Sequence, residues 1–190
     1  MKKSNFTPLF KFTLLIALTF SLSSMLASEP RFYQVELIFF EHLNQSPSPE
    51  GEQRIAESAD YLSLRQFNLA KNEQLVMTDE ASKIRGSRNF RLLKHFGWQQ
   101  QGLAKNEAGA IRIGRWVPGI NGTVTMYLGR YLHLDFHVQK TLTASTEPDS
   151  ITIPLKERRR LRSNETHYID HPDFGILARI TPVDPPTTDN

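Results

Sequence analysis

Apolar and polar positions alternate through most of the chain, and that period of two predicts strands far more often than helices. Residues 31–42 (RFYQVELIFFEH) place Tyr33, Val35, Leu37 and Phe39 on one face and Phe32, Ile38 and Phe40 on the other, the mark of a central strand buried on both sides. Residues 44–53 carry two Pro, a Gly and no apolar side chain, so they predict a mobile loop over 44–58. Residues 54–77 carry only weak signals. Residues 78–86 (TDEASKIRG) read as a short helix with Thr78 as cap, acids in the first turn, Lys and Arg in the last, and Gly86 as stop. Over 88–101 a strand with Phe90, Leu92, Phe96 and Trp98 on one face, interrupted by Lys94, fits better than a helix whose stripe would hold a Lys and a Gly.

Further on, residues 110–116 predict a short strand and the Pro-Gly and Asn-Gly pairs of 117–122 a turn. Residues 123–142 (TVTMYLGRYLHLDFHVQKTL) are apolar at nearly every even position, with Arg130 and Lys140 as exceptions. Twenty residues in one phase predict a single long, half-buried strand bent at Gly129. A turn over 143–150 returns the chain into an extended segment over 151–170, so the long strand should pair antiparallel with the stretch holding Arg158 to Arg162. A turn at 171–175, a last strand over 176–183 and a frayed tail over 184–190 complete the chain. The first strand, the helix and the strand over 88–101 would form one crossover unit. The sum is a single α+β domain over 31–183, built on a mainly antiparallel sheet with long strands and few helices.

Residues 1–27 belong to none of this. Lys2, Lys3 and Lys11 form a positive start, residues 12–22 an apolar run of eleven, and small residues follow up to Ala27 and Ser28. That is the layout of a cleaved signal peptide, too short to be a permanent membrane span, and it predicts an exported, periplasmic protein. Three of the 23 Lys and Arg residues lie in the leader, so the remainder carries 20 against 20 Asp and Glu. A neutral chain lacks the excess positive charge that a nucleic-acid partner requires. With no Cys, it has no disulfide, no thiol chemistry and no lipid-anchoring cysteine.

Two groups carry candidate chemistry. Tyr127, Tyr131, His133, Asp135 and His137 recur at steps of two on the polar side of the long segment. A His-x-Asp-x-His run could contribute to a metal site if His167 or His171 supplied another ligand, giving a metal-dependent periplasmic enzyme; without that it is a wet, aromatic-rich sheet face. Residues 156–162 (KERRRLR) place Arg158, Arg160 and Arg162 on one face, either as protection for an edge strand or as a grip for carboxylates. His95, Trp98 and Gln100 could anchor the core or wall a groove, and Glu165 with Asp170 is a weaker acid/base pair. No nucleophile elbow, zinc-protease motif or phosphate-binding loop occurs, and no cofactor is expected.

His95-x-x-Trp98-x-Gln100, the run from Gly122 through Tyr127, Gly129, Arg130, Tyr131 and His133, then Arg158 to Ser163, and His167-Tyr168 through Gly175 come in an order that resembles the CsiV peptidoglycan-binding family. Together with residues 33–41 the resemblance covers most of 31–42 and 88–182, with nothing to align over 43–86. It implies a soluble periplasmic protein of a Gram-negative cell, without catalytic activity, that binds peptidoglycan and supports wall assembly and cell shape through cell-wall synthesis proteins. The ligand-binding residues expected on this basis are Tyr127, Arg130, Tyr131, His133, Arg158, Arg160, Arg162, His95, Trp98, His167 and Tyr168. A protein adaptor with no wall affinity of its own is the remaining alternative.

Overall fold

A computed structural model describes residues 30–44, 61–142 and 151–185. The expected leader over 1–27, most of the expected loop over 44–58, the expected turn over 143–150 and the last residues of the expected tail lie outside the described residues. Ten strands are described: β1 (Phe32–His42), β2 (Leu62–Ser63), β3 (Asn68–Leu69), β4 (Phe90–Gln101), β5 (Ile111–Arg112), β6 (Ile120–Leu128), β7 (Leu132–Leu142), β8 (Ile151–Leu161), β9 (Thr166–Asp170) and β10 (Phe174–Val183). One α-helix, α1 (Thr78–Arg85), stands among them with two single 3-10 turns. The strands form two five-stranded sheets, β3-β4-β1-β10-β9 and β2-β5-β6-β7-β8. The protein is therefore mainly β, and the α+β expectation holds only in that one helix accompanies the sheets.

The two sheets pack face to face. Val35, Leu37 and Phe39 of β1, Trp98 of β4 and Ile176 to Ile180 at alternate positions of β10 meet Val124, Met126, Leu134, Phe136 and Val138 of the second sheet in one buried cluster. Each sheet thus contributes every second residue of its strands to a shared core, as aligned sandwiches do. On its other side β1 turns Ile38 and Phe40 toward Met77, Ala81 and Ile84 of the helical segment. That is why β1 reads as apolar on both faces: one faces the second sheet and the other faces α1.

Several expectations change. The period-two run over 123–142 is a hairpin, β6 and β7, closed by residues 129–131, with Val124 opposite Phe136 and Leu128 opposite Leu132. Partner numbers have the same parity across this turn, so the alternation passes through it in phase and imitates one long strand. The anticipated crossover is absent, because β1 and β4 are antiparallel neighbours, and a crossover joins parallel strands. Their register also shifts between Phe39 and Phe40, where Lys94 and Leu92 are the successive partners and Leu93 is the extra residue. This bulge reverses the face of everything before it. Leu92 consequently packs on the helix side, while Phe96 and Trp98 enter the sandwich core, instead of all three sharing a face. Gly97 is required here, since a Cβ would come within 2.9 Å of the Val35 carbonyl oxygen.

The expected pairing with the arginine segment is found for the β7 half of the run: β7 and β8 are antiparallel, with Asp135 opposite Arg158 and His133 opposite Arg160. The segment over 151–170 then changes sheets. Its turn at 162–165 holds Asn164 in the left-handed region (φ 64°) and leads from β8 in one sheet to β9 in the other. Lys140, the apolar row's last exception, is buried and spans the sheets, with Nζ 3.4 Å from Glu41 Oε2 and donating to the Asp173 carbonyl at 3.3 Å.

The helix start also differs from the Thr78 cap. Thr78 is already helical, Met77 is the capping residue, and its side chain makes no cap bond. The backbone N–H groups of Val76 and Met77 instead donate to the Glu36 carboxylate of β1 at 3.0 and 2.8 Å. His95 Nε2 lies 2.6 Å from the same carboxylate. Burial would raise the Glu36 pKa, but the His95 hydrogen bond, the two backbone donors and the His95 charge outweigh it and hold the group below its ordinary value. Its stabilising contribution is therefore present above the unfolded carboxyl's pKa of 4.5 and is lost as pH falls through the lower folded value. Glu36→Ala leaves the helix donors unpaired and should lower the unfolding free energy at pH 7 by about 1–3 kcal/mol in denaturant titrations. The difference from wild type should shrink as the pH is taken below the carboxylate range.

Candidate functional site

The β6–β7 turn stands at one end of the sandwich. Gly129 N–H donates to the Tyr131 carbonyl at 3.0 Å and closes it, which thrusts the Tyr131 side chain outward with 43% of its surface exposed. Two guanidinium groups lie close to the ring, Arg160 at 4.6 Å and Arg130 at 5.6 Å from its centroid. This spacing is attractive through the ring quadrupole and keeps both cations beside an exposed aromatic face.

One residue pair behind the turn, Tyr127 and His133 are cross-strand partners with stacked rings, centroids 4.7 Å apart and planes 4° from parallel. The His133 Nδ1–H donates to the Tyr131 carbonyl at 2.9 Å, and a carbonyl can only accept, so Nδ1 carries the proton. Lys105 Nζ lies 5.8 Å from the Tyr127 centroid. Tyr127 retains only 6% exposure under these neighbours. Further along, Arg158 donates to Asp135 Oδ2 through Nε at 3.1 Å and through a terminal nitrogen at 2.8 Å. His137 Nε2 approaches the other Asp135 oxygen at 3.3 Å. The hydrogen bond and the charge of Asp135 hold the Arg158 proton more firmly than usual.

Beside Tyr131 a cleft of about 730 Å³ opens between the ends of the two sheets. Arg31 and Tyr33 border it from the start of β1, Arg130 and Tyr131 from the hairpin turn, and Arg162 and Glu165 from the sheet-changing turn. Three guanidinium groups face one carboxylate. The Arg162–Glu165 pair is 3.7 Å apart and well exposed, so it leaves Arg162 available to another anion. An aromatic plate beside planar cations suits a ligand that combines a ring or sugar face with carboxylates.

The structure therefore brings together Tyr127, Arg130, Tyr131, His133, Arg158, Arg160 and Arg162. It does not bring His95 or Trp98 to them. Trp98 is fully buried between the sheets and donates its indole N–H to Gln100 at 2.7 Å, and His95 serves Glu36 on the opposite face of β4. His167 accepts the Arg162 backbone N–H at 3.2 Å and does not line the cleft. Tyr168 stacks on Phe40 at 6.1 Å, and its hydroxyl donates to Asp170; burial first, then that bond, push its pKa upward. The metal constellation does not assemble. Asp135 is occupied by Arg158 and His137, His133 is tied to a carbonyl, and among the described residues no three His, Asp or Glu side chains converge as ligands.

Arg31, Tyr33 and Lys105 were not legible as site residues. Each comes from a segment whose position beside the hairpin turn depends on strand order, and β1 reaches β6 and β7 only through packing between sheets.

The fold is a β-sandwich with one outer face under a helix and a recess at its end lined by arginines and tyrosines. The chain belongs to the CsiV family: the family model described as "Peptidoglycan-binding protein, CsiV" matches residues 50–183. The matched range takes in α1 and residues 50–86, where no alignment was expected, and leaves out β1. No curated protein matches the chain, and no solved structure does.

Burial separates the two tyrosines. Tyr131→Ala should leave the unfolding free energy within about 1 kcal/mol of wild type, whereas Tyr127→Ala should cost about 3 kcal/mol. Equal losses by chemical denaturation would show that Tyr131 is packed and not displayed.

Proposed function

We propose that this chain is a non-catalytic periplasmic protein that binds peptidoglycan at the end cleft, and that it supports wall assembly and cell shape through cell-wall synthesis proteins. The observation that carries the reading is the exposed Tyr131 ring with Arg130 and Arg160 close by, at the mouth of a cleft that also holds Arg31 and Arg162. Peptidoglycan offers matching chemistry: sugar rings with apolar faces, and stem peptides that end in carboxylates. Stacking contributes to affinity without charge, and each guanidinium can hold a carboxylate through two N–H groups. The family description supports the ligand class. The leader over 1–27 supports delivery to the wall compartment, and no helix among the described residues is long and apolar enough to cross a membrane.

Tyr127 and His133 act in this reading as a rigid support, since their stacked rings and the His133 bond to the Tyr131 carbonyl fix the turn. Arg158 is committed to Asp135 and serves the sheet more than the ligand. Co-sedimentation with purified sacculi tests the proposal. Wild-type protein should pellet with sacculi and be released progressively by salt, because exposed charge pairs are screened. Arg160→Gln combined with Arg162→Gln should lower the pelleted fraction several-fold with an unchanged melting temperature, since both side chains are exposed. Full retention by the double variant and by Tyr131→Ala would place the binding surface elsewhere.

A further inference from the structure

The turn between β9 and β10 ties the two sheets together away from the cleft. β1 begins beside the cleft at Phe32 and ends next to this turn, which therefore stands at the opposite end of the sandwich. The Asp173 carbonyl accepts two donors, the His42 backbone N–H at 3.2 Å and Lys140 Nζ of the second sheet at 3.3 Å. The Asp173 backbone N–H in turn donates to His171 Nδ1 at 3.2 Å. A ring nitrogen that accepts carries no proton, so His171 is the neutral imidazole with its proton on Nε2. Its ring stacks on Phe174, centroids 4.7 Å apart, and Phe174 is fully buried. Asp173 is itself buried, and its Oδ2 lies 3.7 Å from His171 Nδ1 with no hydrogen-bond partner among the described residues.

A second proton on His171 goes to Nδ1. There it would meet the Asp173 N–H, donor against donor, while the unpartnered Oδ2 waits just beyond bonding distance. Protonation therefore exchanges the Asp173 N–H···Nδ1 bond for an Nδ1–H···Oδ2 bond, and the Asp173 backbone has to move. His42 offers no such exchange. It already donates Nδ1–H to the Pro172 carbonyl at 2.9 Å, and its buried Nε2 has no partner among the described residues, so a further proton there would gain no bond. We propose that the turn over 171–174 is an acid-operated latch: a proton taken up at His171 Nδ1 frees the Asp173 backbone and loosens the Lys140 tie between the sheets. The groups around the ring set its range. Asp173 and, from β9, Asp170 favour the charged ring, whereas His42 of β1 and Lys140 of β7 oppose it. Glu41 of β1, paired with Lys140 and with Arg91 of β4, stands next to them. Burial is the largest influence, and with the two cations it outweighs the carboxylates and holds the His171 pKa below its ordinary 6.5. The unfolded chain binds this proton more readily, so the closed latch is favoured above pH 6.5 and weakens as pH falls through 6.5 toward the folded value. None of these groups lines the cleft, so the latch stands apart from the wall-binding reading.

The test is a titration of the intact protein from about pH 8 to about pH 5, read by the nitrogen resonances of the histidine rings and by hydrogen exchange of single amides. At the upper end His171 Nδ1 should give the signal of an unprotonated nitrogen, moving to that of imidazolium with a midpoint below 6.5. Over the same range the protection of the Asp173 amide, corrected for its intrinsic rate, should fall about fivefold or more, while that of Leu37 in the core stays within about twofold. His171→Gln keeps a side-chain carbonyl that can accept the Asp173 N–H and cannot titrate, so it should hold that protection constant. Asp173→Asn removes a charge that favours the protonated ring and should lower the midpoint. Where a variant fails to fold, the wild-type titration decides alone. A midpoint at or above 6.5, an Nδ1 protonated throughout, or an Asp173 amide whose protection does not follow the ring overturns the latch. Loss of protection that persists in folded His171→Gln overturns it as well and assigns the proton to another group.

Discussion

The hairpin of β6 and β7 turns through three residues, and that odd number governs the rest of the molecule. It makes cross-strand partners equal in parity, so Val124, Met126, Leu134 and Phe136 all point into the sandwich while Tyr127, His133 and Asp135 all point out. One residue more or fewer would turn one strand over and put its apolar set in water. The same turn carries Arg130 and Tyr131 to the end of the sheet, where no strand neighbour competes for them. Core and candidate site are therefore two outcomes of a single register.

The two outer faces are treated differently. α1 covers one side of the first sheet, held at its start by Glu36 and His95 from β1 and β4 and packed through Met77, Ala81 and Ile84. The outer face of the second sheet has no helix over it among the described residues. It is lined by cross-strand polar and aromatic pairs whose charges are partly spent on each other, as in Arg158 with Asp135. Exposed arginines stand at its ends, Arg130, Arg160 and Arg162 on one side and Arg65 and Arg115 on the other, with Lys156 and Arg158 exposed between them. The arginine that pairs within the sheet, Arg158, is thus distinct from those proposed to meet the ligand.

Local periodicity made the strand content, the short helix, the double burial of β1 and the β7–β8 pairing legible. Devices that act on phase were not. The in-phase turn at 129–131 and the bulge at Leu93 are invisible to a count of alternate residues, because one preserves the count and the other reverses it. Departures from the pattern were the better signal. Arg130 marks the turn, Lys140 marks the ionic contact between sheets, and Lys94 adjoins the bulge. Part of the site was legible because Tyr127, His133, Arg158 and Arg160 share strands. Arg31 and Tyr33 were not, since their place beside Tyr131 depends on packing between sheets, which no stretch of sequence displays.

Hydrogen–deuterium exchange of the protein free and bound to sacculi tests the central claim most directly, because it locates the wall-facing surface without altering a residue. The account predicts slowed exchange in the β6–β7 turn and in the turn that joins β8 to β9, with α1 and the outer side of the first sheet unchanged. Protection confined to α1 and β4, with the hairpin turn exchanging as in the free protein, would contradict it.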